Sequence, residues 1–216
     1  MQPLVLFDLD NTLVNLGEAF QVWTAEFVDE HRLGSDAVDW LIALDQEGYP
    51  HREAFFGKVR EHFALPGSVE ELWGRYRKRM PYLVRCRPEV MDGLARLRAA
   101  GWKVAIVTNG TADNQLGKIQ RTGLAEAVDA YALSGIEGIR KPDAGLFEIA
   151  ARRCGMSLAG GGWMVGDHPV KDISGGRAAG LRTVWVDQGT SQHQEHGADY
   201  IVTDVLQAME VLRGNR

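Results

Sequence analysis

Two aspartates, Asp8 and Asp10, follow the apolar run of residues 4–7 with one residue between them. A carboxylate can attack phosphorus and form an aspartyl-phosphate intermediate. A second carboxyl group can give a proton to the leaving oxygen and later take one from water. Two carboxylates this close repel each other, so the pair calls for a cation, and Mg²⁺ suits such oxygen ligands. Taken alone, an Asp-x-Asp pair at the end of a strand also fits a turn or a helix cap.

Three further polar segments are suited to the same chemistry. Thr108-Asn109-Gly110 offers a hydroxyl, an amide and accessible backbone N–H groups to phosphate oxygens, although Asn-Gly also marks an ordinary turn. Arg140-Lys141-Pro142 precedes a predicted helix, and Lys141 could hold a phosphoryl oxygen, although a lysine in this setting is commonly a solvated surface residue. Asp167 and Asp172 lie five residues apart across a Pro-containing loop and could supply metal ligands, or else a helix cap and a surface carboxylate.

Four apolar runs must position these residues, because each run ends at a polar residue. Short apolar runs without alternation are typical of strands buried on both faces of a parallel sheet. Segments of helical period that end at glycine lie between them, at residues 90–101, 142–155 and 172–180. This rhythm predicts an α/β fold with a doubly wound parallel sheet, whose carboxyl strand ends meet in one crevice. The four runs are Leu4–Phe7, Val104–Val107, Trp163–Gly166 and Thr183–Val186.

Residues 15–85 show no strand-like run and are rich in aromatic side chains at helical spacing. We therefore expect an all-helical domain at 15–85, inserted over the carboxyl edge of a core formed by 1–14 and 86–216. Tyr49-Pro50-His51-Arg52 interrupts the helical pattern, so His51 and Arg52 are candidates for contact with a polar or anionic part of a substrate. The same four residues also fit a solvated surface turn. The two predicted apolar helical faces are Phe20, Trp23, Thr24 and Phe27, and Phe55, Phe56, Val59 and Phe63.

Composition excludes several classes of protein. The chain of 216 residues has 24 Lys and Arg against 29 Asp and Glu, a net charge of -5, which argues against a nucleic-acid-binding platform. Its 45% hydrophobic and 25% charged fractions are those of a globular protein and not of a disordered one. Cys86 and Cys154 have no metal-binding spacing; we expect two thiols, with a disulfide as the alternative. With no membrane-length apolar run and no leader-like start, we expect a cytoplasmic protein.

The four segments Asp8-Leu9-Asp10-Asn11-Thr12, Thr108-Asn109-Gly110, Arg140-Lys141-Pro142 and 166–172 (GDHPVKD) resemble, in order, the four motifs of the haloacid dehalogenase-like hydrolase superfamily. The resemblance spans almost the whole chain. It implies a Rossmann-like core with a helical cap inserted after the first strand.

The resemblance also implies roles for individual residues. Asp8 would be the nucleophile and Asp10 the general acid and base, while Thr108 and Lys141 would bind the phosphoryl group, with Asn109 nearby. Mg²⁺ would be held by the carboxylates of Asp8 and Asp167 and by the backbone carbonyl of Asp10. Asp172 would support the site through water or by orienting Lys141.

Because members that cleave carbon–halogen bonds usually lack the second acid, Asp10 favours phosphoryl transfer, whose alkoxide leaving group needs a proton. The expected function is a Mg²⁺-dependent phosphomonoesterase that hydrolyses a small soluble phosphate ester, such as a nucleotide or sugar phosphate, through a phosphoaspartate. The alternative is a phosphomutase that uses the same aspartates. A carbon–phosphorus hydrolase would add a cap lysine, and a binding module would have lost a motif acid. Expected partners are the small ester alone, with no nucleic acid polymer and no membrane, in a monomer or homodimer.

Overall fold

The computed structural model describes residues 3–46, 52–189 and 197–215. The chain forms two compact units. One comprises Met1–Asn15 and Arg85–Arg216, and the other comprises Leu16–Val84. The junction residues Asn15 and Arg85 are hydrogen-bonded to each other, Asn15 N to Arg85 O at 3.3 Å and Arg85 N to Asn15 Oδ1 at 3.0 Å.

The second unit is helical throughout its described residues and packs around aromatic side chains. Trp23 lies 5.0 Å from Tyr76 and 5.7 Å from Phe56 between ring centroids, both in edge-to-face geometry that favours aromatic pairs. Phe20, Trp23, Thr24 and Phe27 are buried on one helical face, as are Phe55, Phe56 and Val59, whereas Phe63 is only half-buried. The helices are α1 Leu16–Glu30, α2 Ala37–Gln46, α3 Arg52–His62 and α4 Val69–Leu83.

The first unit contains one parallel sheet of six strands in the order β3-β2-β1-β4-β5-β6. The winding reverses between β1 and β4, which is the point where ligands bind in open α/β sheets. All four residues of β1 and of β4 are buried, as the apolar runs predict. The strands are β1 Leu4–Phe7, β2 Lys103–Thr108, β3 Ala130–Leu133, β4 Trp163–Gly166, β5 Arg182–Val186 and β6 Tyr200–Val202.

Helices cover this sheet, and α5 and α9 occupy the segments where the periodicity predicts them. The prediction of one helix over 172–180 is wrong in detail, because Pro169–Ser174 forms a π-helical segment before a short α10. The remaining helices are α5 Pro88–Ala99, α6 Ala112–Arg121, α7 Leu124–Ala127, α8 Ser134–Glu137, α9 Ala144–Arg153, α10 Gly175–Ala178 and α11 Val205–Gly214, with a 3-10 turn at Leu158–Gly160.

Two further observations bear on the sequence-based expectations. Cys86 and Cys154 are free thiols, which excludes a disulfide between them, and burial raises the pKa of each to about 11. Among the described residues, no helix combines the length and apolar character needed to span a membrane.

Candidate active site

The site is built at the carboxyl ends of β1, β2 and β4, where Asp8, Thr108 and Asp167 follow or end buried strands. Asp8 is 7% exposed, and its backbone N–H donates to Val165 O at 2.8 Å, which continues the sheet one residue beyond β1. The strand ends thus hold these polar side chains on a rigid frame.

Lys141 joins the site from the segment before α9. Its ammonium lies 2.5 Å from Asp8 Oδ1 and 2.7 Å from Asp172 Oδ1, and the residue is only 3% exposed. A buried ammonium is stable only when it is paired, and here two carboxylates pair with it. The interpretation of Lys141 as a solvated residue is therefore wrong.

Asn109 fixes the backbone of Lys141. The Asn109 amide donates to Lys141 O and accepts from Lys141 N, both at 2.9 Å. The loop after β2 and the segment before α9 are therefore tied together by a reciprocal pair of hydrogen bonds.

Asp172 is 1% exposed and is held by its own loop. Its Oδ2 accepts from His168 N at 3.0 Å, while Oδ1 accepts from Lys141. A Cβ atom added to Gly166 would overlap the Asp172 carboxylate, so the glycine at the end of β4 makes room for it. Asp172 thus orients Lys141 directly.

Three carboxylates, those of Asp8, Asp167 and Asp172, could together hold a cation. One oxygen from each lies within 4.8 Å of the others. In the described part of the chain the Asp167 carboxylate has no hydrogen-bond or ion-pair partner, and Lys141 is the one cation that pairs with the other two. Such a set of oxygen donors with excess negative charge fits a hard ion such as Mg²⁺.

The pKa values report the same excess of negative charge. Burial raises the pKa of Asp8 to about 7, with Lys141 opposing the shift and Asp172 and Asp10 adding to it. Burial, followed by the charges of Asp8 and Asp172, raises the pKa of Asp167 well above its usual range. Burial lowers the pKa of Lys141, but the charges of Asp172 and Asp8 outweigh it and raise it overall.

Asp10 lies in a second set of contacts that motif reasoning missed. Lys118 Nζ is 2.7 Å from Asp10 Oδ1 and 2.9 Å from Oδ2, and Gln115 Nε2 is 3.0 Å from Oδ2. The same Gln115 amide donates to Thr108 Oγ1 at 2.6 Å. Gln115 and Lys118 are three residues apart and therefore share a face of α6. That spacing of two polar residues after the Thr-Asn-Gly segment was the available signal.

The two candidate specificity residues belong to the helical unit. His51 lies outside the described residues. The Arg52 guanidinium forms an ion pair with Asp45 and lies 5.2 Å from the Phe55 ring centroid and 5.4 Å from that of Phe20. Arg52 therefore has partners within its own unit, and its contact with a substrate stays a prediction.

A Rossmann-like core with an inserted helical unit and an acidic cluster at its switch point defines the class of fold. The family model described as a haloacid dehalogenase-like hydrolase matches residues 3–180. The chain belongs to this family of hydrolases.

Curated relatives and a solved structure are similar over much of the chain. A phosphoserine phosphatase of Thermus thermophilus is 39% identical over 153 residues, which cover 69% of this chain and 59% of that protein. A glyceraldehyde 3-phosphate phosphatase of Pyrococcus furiosus is 27% identical, with 97% of this chain and 92% of that protein covered. The structure of a putative hydrolase of the family from Bacillus subtilis, YfnB bound to magnesium, shares the fold with a TM-score of 0.82 and 21% identity, over 97% and 98% of the two chains.

Proposed function

We propose that the protein is a phosphoric monoester hydrolase that removes phosphate from a small soluble ester, depends on Mg²⁺ and uses Asp8 as its nucleophile. The observation that carries this proposal is the buried cluster in which Asp8 meets Lys141, Asp167 and Asp172, with Asp10 two residues further on. The curated relatives reported above are named as phosphatases of small phosphate esters, which supports the same class of substrate.

The reaction proceeds in two displacements. An Asp8 carboxylate oxygen attacks phosphorus and the bond from phosphorus to the ester oxygen breaks, while Asp10 gives its proton to that departing oxygen. Asp10 then takes a proton from water, the water oxygen attacks phosphorus, and the bond from phosphorus to Asp8 breaks to release phosphate. Lys141 and Thr108 bind the phosphoryl oxygens. Asp8, Asp167 and the Asp10 carbonyl hold the Mg²⁺, which supplies positive charge to the phosphoryl group when bound.

The proposal includes a role for the helical unit, residues 15–85 in the sequence-based division, as a cap that governs substrate choice. A lid over the site would exclude bulk water and leave little room for a polymer. His51 and Arg52 stay within the proposal as candidates for contact with the leaving group.

The first test is phosphate release from a panel of small phosphomonoesters, including phosphoserine and glyceraldehyde 3-phosphate, with Mg²⁺ and with EDTA. We expect turnover that needs Mg²⁺ and that falls by at least about 10³-fold in Asp8→Asn, because the covalent route is lost. Asp92→Asn is the matched control, since Asp92 is exposed on α5 and should leave turnover unchanged. Turnover that survives Asp8→Asn would overturn the assignment of the nucleophile. Isomerised ester without free phosphate would instead show a phosphomutase.

A further inference from the structure

Lys118 is a buried charged residue that the proposed reaction does not use. It is 2% exposed, and Asp10 is the single partner of its ammonium among the residues that the structure describes. Burying an ammonium costs free energy that an apolar side chain at the same position would not incur. The contact with Asp10 is what offsets this cost.

Gln115 connects Asp10 to the loop after β2. Its amide nitrogen donates to Asp10 Oδ2 at 3.0 Å and to Thr108 Oγ1 at 2.6 Å, and the residue is 1% exposed. A Cβ atom on Gly110 would lie 2.7 Å from Gln115 Cγ, so this glycine leaves the space that the Gln115 side chain fills. Gln115 therefore relates the position of Asp10 to that of Thr108.

We propose that Lys118 and Gln115 are positioning residues that hold the Asp10 carboxyl group in the orientation for proton exchange with the leaving oxygen. This inference rests on the proposed function. An ionised carboxylate offers about four lone-pair sites. The three hydrogen bonds from Lys118 and Gln115 use three of them. One site is left for the proton that Asp10 exchanges with substrate or water.

Burial separates the two sides of Asp10. Its side chain is 21% exposed, whereas that of Lys118 is 2% exposed and lies behind it. The positioning pair thus stays out of solvent while the carboxyl group keeps access to it. Proton transfer depends on hydrogen-bond geometry, and a displacement of about 1 Å can cost about 10²-fold in rate.

The test compares kcat/KM for 4-nitrophenyl phosphate, phenyl phosphate and benzyl phosphate, three esters of similar size. In the proposed reaction kcat/KM reports the steps up to loss of the alcohol, for which 4-nitrophenolate needs no proton and the benzyl alkoxide does. The variants are Lys118→Met and Gln115→Leu, each also combined with Asp10→Asn. Gln120→Leu is the matched control, because Gln120 is exposed on the same helix. Thermal unfolding checks that each variant is folded, and Gln115→Leu carries the test if Lys118→Met does not fold.

We expect each single variant to lose on the order of 10²-fold in kcat/KM for benzyl phosphate and less than about threefold for 4-nitrophenyl phosphate. In the Asp10→Asn background the same substitutions should add nothing, because their effect runs through Asp10. Equal losses for all three esters, or no loss for any, would overturn the inference and leave the proposed function standing. If the wild-type enzyme with Mg²⁺ releases no phosphate from any ester, the proposed function fails and the inference fails with it.

Discussion

At the residue scale, the candidate site is a set of charges held close together with little access to water. Lys141 neutralises part of the charge of Asp8 and Asp172, but Asp167 has no partner among the described residues. With all four groups ionised, the cluster keeps an excess of two negative charges. Folding brings these charges together and removes most of their hydration, which is unfavourable until a proton or a cation joins them.

The pH dependence of stability should report this conflict at Asp8. Its pKa is about 7 in the folded chain against an ordinary value of 3.8, so between these pH values the folded protein holds a proton that the unfolded chain has released. The stability that comes from a raised pKa is complete below the lower value and is lost as the pH rises through the higher one. Relative to Asp8→Asn, the wild-type free energy of unfolding should fall by on the order of 4 kcal/mol between pH 4 and pH 7.

Urea denaturation of both proteins in EDTA, at a series of pH values, measures this difference. The comparison cancels the titration of groups that the two proteins share, and EDTA keeps cations away from the carboxylates. Parallel pH profiles for the two proteins would contradict the burial of an ionisable Asp8.

Motif spacing led to Asp8, Lys141 and Asp172 because an ordered set of segments identifies them together. It could not lead to Lys118, which stands alone in a polar helix. Lys118 becomes visible only when α6 is folded and its ammonium is found 2.7 Å from Asp10.

At the element scale, the site depends on loops that tie neighbouring elements to each other. The reciprocal hydrogen bonds between Asn109 and Lys141 hold the segment before α9 against the loop after β2. A Cβ atom on Gly175 would lie 2.9 Å from Pro142 Cα, so α10 packs closely against the same segment. Lys141 is thereby placed by three elements, and its long side chain needs that support to stay at Asp8.

Asn109→Ala should loosen this arrangement. It removes both hydrogen bonds to the Lys141 backbone, and we expect a loss of about 1–3 kcal/mol in the free energy of unfolding. Phosphate release should fall as well, because Lys141 is no longer held against Asp8. Urea denaturation and phosphate release with Mg²⁺ measure the two effects.

Asn114→Ala is the matched control for this experiment. The Asn114 Oδ1 atom is buried and has no hydrogen-bond partner among the described residues, so its removal should change stability by no more than about 0.5 kcal/mol. If the two variants behave alike, the hydrogen bonds of Asn109 do not position Lys141.

Local sequence predicts some elements and not others for identifiable reasons. β1, β2, β4 and β5 are continuous apolar runs, whereas β3 is half-buried along part of its length and β6 has three residues with Ile201 63% exposed. Neither β3 nor β6 carries the pattern of a strand buried on both faces. The π-helical segment at Pro169–Ser174 was also missed, since both Asp172 N and Ile173 N donate to His168 O, a local pairing that a period of 3.6 residues does not describe.

At the whole-molecule scale, topology decides where the site lies. The winding of the sheet reverses between β1 and β4, and Asp8 and Asp167 are the residues that follow those two strands. This placement could be predicted from the sequence, because the strand ends and the rule for parallel sheets are sufficient. The partners of Arg52 could not be predicted, since Asp45, Phe20 and Phe55 meet it only through the packing of α1, α2 and α3.

The central claim is that a phosphoryl group passes through Asp8. Trapping this intermediate tests it most directly. Asp10→Asn should slow hydrolysis of the phosphoaspartate, while 4-nitrophenyl phosphate can still react because its leaving group needs no proton. The enzyme is mixed with this ester and Mg²⁺, quenched in acid, and analysed by intact mass and by mapping of the modified peptide.

The account predicts one added phosphoryl group per chain, located on Asp8, and no such adduct in the Asp8→Asn, Asp10→Asn double variant. Phosphate on another residue would contradict the account. So would 4-nitrophenol release by Asp10→Asn that the added Asp8→Asn substitution leaves unchanged.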